Sequence, residues 1–216
     1  DAIVVGSGMS GGWSAKELSE RGLKVLVLER GFNVEPSVHY SDALAPWQHA
    51  NFNEIPQDEI AAHYPIQHRG VGYAVKSSNR HFWVKDDEHP YSVEPGTDYD
   101  WLRGYHLGGR SVTWGRQSYR LSDIDFEANK KESIAIDWPI RYKDIARWYD
   151  HVERFAGIAG ANEGLEQLPD GIFQPPFALT DAELAFKTGV ERSFPGRRAI
   201  HARVAHLTAP TEAQTA

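Results

Sequence analysis

Apolar positions near the start of this 216-residue chain fall into two registers, one after the other. Ile3-Val4-Val5 is a short β-branched run that predicts a strand, and Gly6-Ser7-Gly8-Met9-Ser10-Gly11 follows it at once. Ala15 and Leu18, with Gly22 as the stop, predict a helix of about three turns. Lys24-Val25-Leu26-Val27-Leu28-Glu29 then predicts a second strand. Strand, helix and strand in that order form a βαβ unit, with parallel strands joined by a right-handed crossover. The near-continuous apolar runs predict that both strands are buried.

From Gly31 to about Pro95 the pattern breaks into short pieces, and no period lasts more than a few residues. Pro46-Trp47, Phe52, Tyr64-Pro65, Tyr73, Phe82-Trp83 and Pro90-Tyr91 read as large apolar packing contacts in an irregular segment laid over a sheet. Periodicity returns later. Ile145, Trp148, Val152 and Phe155 share one helical face before Gly157, which predicts a core-facing helix. A shorter helix is predicted from Asp181 to Thr188, stopped by Gly189, after a Gly- and Pro-rich loop from Gly160 to Pro176. Ser122 to Asp125 and Thr180 to Glu183 fit capping boxes, and Ala199 to Leu207 alternates well enough for a strand that returns the chain to the first domain.

Composition narrows the class without naming a chemistry. Hydrophobic residues at 41% and charged residues at 25% fit a folded chain rather than a disordered one. A net charge of -7 argues against a nucleic-acid partner, whose phosphates need a basic face. No cysteine is present, so disulfides and thiolate metal sites are excluded in this stretch and the compartment stays open. No window approaches the roughly 18 apolar residues of a transmembrane helix. The chain opens inside its first strand and ends in a polar stretch, Thr208 to Ala216, so the expectation is a fragment of a longer protein.

The glycine run carries the chemistry. In a strand-turn-helix, Gly6 permits the tight turn, Gly8 lets the backbone approach a pyrophosphate and Gly11 lets helix and strand pack closely. Free N-H groups at the helix start favour the anion, and Glu29 at the end of the second strand can accept from a ribose hydroxyl. Flanking elements and an acid 23 positions after Gly6 make this a dinucleotide cradle, for FAD or for NAD. A rival reading exists. Gly8-Met9-Ser10-Gly11-Gly12 also satisfies the GxSxG elbow of serine hydrolases, with Ser10 as nucleophile, but that leaves Gly6 and Glu29 without a role. Ten histidines show neither HxH nor HExxH spacing, so no metal site is expected, and Asp86-Asp87-Glu88 and Asp123-Ile124-Asp125 read as surface charge and capping.

A second glycine cluster runs from Trp101 to Arg116, where Arg103, Arg110 and Arg116 are candidates to meet phosphate oxygens. With Leu107-Gly108-Gly109-Arg110-Ser111-Val112-Thr113-Trp114-Gly115 about a hundred residues after the opening unit, the chain resembles the N-terminal part of the glucose-methanol-choline (GMC) oxidoreductases. Asp137-Trp138-Pro139-Ile140, Tyr142-Lys143-Asp144-Ile145 and Trp148-Tyr149 are similar to a stretch of the bacterial sugar dehydrogenase branch.

The resemblance implies an α/β fold: a Rossmann-like FAD-binding domain, discontinuous, a parallel sheet with flanking helices and inserted cap segments. It divides the chain into 1–35 (FAD-binding βαβ), 36–95 (cover), 96–122 (flavin-contacting loop), 123–198 (helical cap) and 199–216 (return strand and tail). Implied cofactor contacts are Gly6, Gly8, Met9, Ser10, Gly11, Glu29, Arg30, Arg103, Gly108, Gly109, Ser111, Thr113, Trp114 and Gly115. Thr113 stands where some relatives carry a histidine bonded to the flavin, which implies non-covalent FAD. Family members place their catalytic histidine near the C-terminus of a much longer chain, so no catalytic residue is expected within 1–216. The implied activity is hydride transfer from a sugar or other alcohol carbon to flavin N5, with an electron acceptor not identified. NAD-dependent chemistry and a non-catalytic binding module remain the alternatives.

Overall fold

The computed structural model describes residues 1–40 and 44–211. Two compact units divide the chain, Asp1–Trp114 and a second from Gly115 onward. The boundary falls inside the segment 96–122 that the sequence treats as one loop.

In the first unit, β1 (Ala2–Val5), α1 (Met9–Glu20) and β2 (Val25–Leu28) form the expected βαβ unit. β1 and β2 pair in parallel with Val4 opposite Val27 and Val5 opposite Leu28. Helix α1 ends where expected, and Gly22 takes a φ of 84° just beyond it. The expected burial of both strands is not found. Ile3 is 67% and Val5 82% exposed, while Ala2 and Val4 are half-buried on the alternate face. The reason is layer count: the described sheet has two strands, and α1 packs against both on one side only.

Short helical pieces follow, among them α2 (Pro36–His39), α3 (Gln57–His63), α4 (Pro65–Val71) and a 3-10 turn at Arg80–Phe82. These lie in the segment expected to be irregular, and they carry the core of the unit. Ile55, Ile60, Tyr64, Val75, Phe82 and Trp83 form one buried cluster, flanked by Val34 and Val112. Trp47, Phe52 and Tyr73, expected to pack, are instead largely exposed. Aromatic identity marks area to bury, but the aromatics in this cluster are Tyr64 at the α3–α4 junction and Phe82 and Trp83 at the Arg80 turn.

The second unit contains α5 (Asp123–Glu132), α6 (Tyr142–Ala156) and α7 (Asp181–Ser193). Ser122 and Thr180 form the two expected capping boxes with Asp125 and Glu183. Helix α7 continues through Gly189 to Ser193, because a single glycine lowers helix propensity by only about 1 kcal/mol and here meets no competing contact. The apolar face of α6 does not form the expected core, since Trp148 and Val152 are exposed and Glu153 is the residue it buries. No strand forms over Ala199 to Leu207. Val204 alone bridges Gln117 and Ala159, and the buried Arg203 beside it donates to the carbonyl of Pro169. Residues 212–216 of the expected tail lie outside the described residues.

Candidate cofactor site

The site grows out of the turn between β1 and α1. Gly6 adopts a φ of 89°, a region open to glycine and costly for a side chain, and its N-H donates to the Leu28 carbonyl at 2.7 Å. Gly11 is glycine for a different reason. A Cβ there would stand 2.0 Å from the Gly6 carbonyl oxygen, so α1 could not approach the turn. Gly8 has neither reason. A Cβ on it would meet nothing of this chain nearer than the Gly108 oxygen at 3.8 Å, which leaves the space beside it for something that is not this chain. Gly8 is also the N-cap of α1, and no side chain caps the amides behind it. Amides without a cap at a helix start suit an anion.

Glu29 sits at the far side of this turn. Its Oε2 accepts from the Ser7 N-H at 2.8 Å and the Ser7 hydroxyl at 2.5 Å. Its Oε1 accepts from the N-H groups of Arg30 at 2.8 Å and Gly31 at 2.9 Å. The Ser7 hydroxyl, followed by the backbone donors and against a desolvation cost, holds the Glu29 carboxyl at about 2, well below its ordinary 4.5. A carboxyl lowered on folding stabilises the fold above its unfolded value and ceases to do so as pH falls from about 4.5 to about 2. The stability difference between wild type and Glu29→Gln, measured by urea unfolding, is therefore expected to be constant above that window and to shrink within it. A difference that does not change with pH would contradict the assignment.

The second glycine cluster meets the first. The Gly108 N-H donates to the Ser7 hydroxyl oxygen at 2.9 Å, across 101 residues. A Cβ on Gly109 would lie 3.3 Å from the Gly8 Cα, so the two loops touch through backbone. Phe32 and His106 form a parallel bridge that fixes this approach, and Gly31 leaves room for it. The Arg30 guanidinium stacks over the Tyr105 ring at 3.8 Å. A cavity of about 440 Å³ lies between the loops, lined among others by Gly6, Gly8, Glu29, Arg30, Tyr105 and Gly109.

The expected contacts divide. Gly6, Gly8, Met9, Ser10, Gly11, Glu29, Arg30, Gly108 and Gly109 belong to this turn, the first turn of α1 and the facing loop. Ser111 donates to the Gly108 carbonyl at 2.6 Å and Thr113 closes the 3-10 turn Gly109–Val112, so both shape the second loop. Trp114 ends the first unit, while Gly115 and Arg116 belong to the second. Arg103 is buried, its guanidinium bonded to the His89 carbonyl and the Tyr105 hydroxyl and close to Asp86. Arg110 lies over Trp83. Ser10 sits within the first turn of α1 without the strained backbone of a nucleophile elbow. Ser7 and Tyr105 escaped the sequence reading, because the motif leaves Ser7 unspecified and nothing in spacing brings Tyr105 to Arg30.

No group of three or more His, Asp or Glu residues among the described residues is arranged to hold a metal ion, and no helix is long and apolar enough to cross a membrane. The free amides, the space at Gly8 and the acid beyond the second strand fit a dinucleotide.

Comparison with known proteins identifies which dinucleotide. Residues 1–61 match the FAD binding domain family. Over 192 residues the chain is 27% identical to paromamine 6'-oxidase of Streptomyces fradiae, covering 88% of this chain and 28% of that protein. It is 24% identical to the fructose dehydrogenase large subunit of Gluconobacter japonicus over 83% of this chain and 31% of the relative. The gluconate 2-dehydrogenase flavoprotein of Pantoea cypripedii is 25% identical over 74% of this chain and 26% of its own length. The chain thus spans between a quarter and a third of the length of these curated relatives. The match indicates FAD as the cofactor of this chain.

Proposed function

We propose that this chain is the cofactor-binding part of an FAD-dependent oxidoreductase of the GMC type, acting on a CH-OH group of a sugar or other alcohol. The observation that supports it most is that Ser7, inside the stretch 1–61 that matches the FAD binding domain family, accepts the Gly108 N-H and so joins the second glycine loop to the first. The names of the relatives support the substrate class, since they give paromamine, fructose and gluconate as what those proteins act on.

When bound, FAD supplies the acceptor for a hydride at N5. The chain's own residues bind and orient. Gly8 and the amides of the first turn of α1 would hold the pyrophosphate, Glu29 would hold the adenosine ribose, and the loop from Gly108 to Trp114 would contact the flavin. No side chain of 1–216 is assigned to take the hydroxyl proton, so this stretch by itself is expected to turn over no sugar. Turnover by purified 1–216 would contradict that assignment.

The proposal is tested by adding a panel of sugars and primary alcohols anaerobically to the full-length, flavin-loaded protein. Bleaching of the visible flavin band by at least one of them is expected; a band that none of them bleaches would contradict the reading. Thr113 offers a hydroxyl, not an imidazole, at the position for a covalent link, and that hydroxyl donates to the Arg110 carbonyl at 3.3 Å. Acid precipitation is therefore expected to release the yellow colour to the supernatant, and colour kept in the pellet would contradict dissociable FAD.

A further inference from the structure

We infer that Ser7 is a positioning residue for FAD, its hydroxyl keying the ribose-binding acid and the second glycine loop into one cradle. The hydroxyl is used in both directions. It donates to Glu29 Oε2 at 2.5 Å and accepts the Gly108 N-H at 2.9 Å. These two partners lie on segments 101 and 22 residues away along the chain, and Ser7 is where they meet.

Donor counting shows why this position matters. Glu29 faces four donors, which fill the roughly four lone-pair sites of a carboxylate. Three of them are backbone N-H groups fixed by the turn and by the chain after β2. The fourth, the Ser7 hydroxyl, is the one of these donors that can also accept, so it links Glu29 to the Gly108 amide. Alanine at position 7 removes a charge-assisted bond from Glu29 and leaves the half-buried Gly108 N-H without its acceptor. The two loops then keep the Phe32–His106 bridge and the approach of Gly109 to Gly8, but lose the hydroxyl that ties Glu29 to the Gly108 amide.

This inference rests on the cradle's being an FAD site, and the test separates the two. Apoprotein of the full chain is titrated with FAD by flavin fluorescence, well below the unfolding transition, for wild type, Ser7→Ala and Ser7→Thr. Ser7→Ala is expected to bind about 30-fold more weakly. Ser7→Thr, which keeps the hydroxyl, is expected to recover most of the affinity. A readout of the contact itself accompanies it: the Glu29 carboxyl, followed by carbon NMR, is expected to titrate at higher pH in Ser7→Ala than in wild type and Ser7→Thr. Equal or tighter binding by Ser7→Ala, or an unchanged Glu29 titration, overturns the inference while leaving the cofactor assignment intact. Wild type that binds no FAD overturns both.

Discussion

Gly11→Ala is expected to lose FAD affinity by at least about 100-fold, while Gly12→Ala next to it keeps wild-type affinity. The difference lies in what each new Cβ meets. At Gly11 it would stand 2.0 Å from the Gly6 oxygen and 2.9 Å from the Gly6 carbon, both backbone atoms of a turn whose φ is already restricted to glycine. Neither can move aside as a side chain could. Helix α1 must back away from the turn, and its uncapped first-turn amides move with it. Overpacking typically costs about 1–3 kcal/mol and more where the backbone must shift. A factor of 100 in affinity is about 2.8 kcal/mol, within that range. At Gly12 the nearest atom is the Ser7 oxygen at 3.6 Å, ordinary contact, and alanine gains up to about 1 kcal/mol of helix propensity. Isothermal titration of both variants with FAD checks the pair. Wild-type affinity in Gly11→Ala would refute the close packing of turn and helix.

The largest effect on folding is expected in the second unit, from Arg120→Ala. Arg120 is buried, and its Nε donates to Glu153 Oε1 at 2.7 Å while one terminal nitrogen donates to Glu153 Oε2 and to Asp150 Oδ1. The other meets the Tyr142 hydroxyl at 2.8 Å. Burial disfavours the guanidinium's charge, but the bonds to Glu153, Asp150 and Tyr142 outweigh it and hold its pKa above the ordinary arginine value. Removing the arginine leaves Glu153 buried with, among the described residues, the Ile172 N-H as the remaining donor to its carboxylate. Breaking one side of a buried pair costs about 3–5 kcal/mol, whereas replacing both sides with apolar groups is often close to neutral. Urea unfolding is thus expected to show a loss of about 4 kcal/mol for Arg120→Ala and recovery of most of it in Arg120→Met with Glu153→Leu. A single-variant loss under about 1 kcal/mol would show that the pair is solvated rather than buried.

Arg120 and Glu153 also mark what the sequence conceals. The period of Ile145, Trp148, Val152 and Phe155 correctly places a helix, because 3.6-residue spacing is local. Which side of that helix is buried depends on an arginine 33 residues away, and no local pattern encodes that choice. The opening βαβ unit was legible almost to its ends because its determinants are all local: a β-branched run, glycines at fixed offsets, and an acid at a strand end. Glu29 was legible for the same reason. Ser7 was not, since its importance comes from Gly108, and the register between the two loops is set by folding rather than spacing. Arg103 stands out in the sequence as a cation among glycines, and its partners Asp86 and His89 come from a segment that no local pattern connects to it.

The strands of β1 and β2 add a further lesson. Their composition predicts two covered faces, and among the described residues α1 covers one, leaving Ile3, Val5 and Leu26 exposed. Apolar content reports what a strand is suited to bury, not which element of the described chain buries it.

The central claim is that the paired glycine loops with Glu29 form an FAD cradle. It is tested most directly by titrating full-length apoprotein with FAD and with NAD, side by side, and reading binding by calorimetry. One FAD per chain, with NAD bound far more weakly or not at all, is the predicted result. Saturable NAD binding without FAD binding would contradict it.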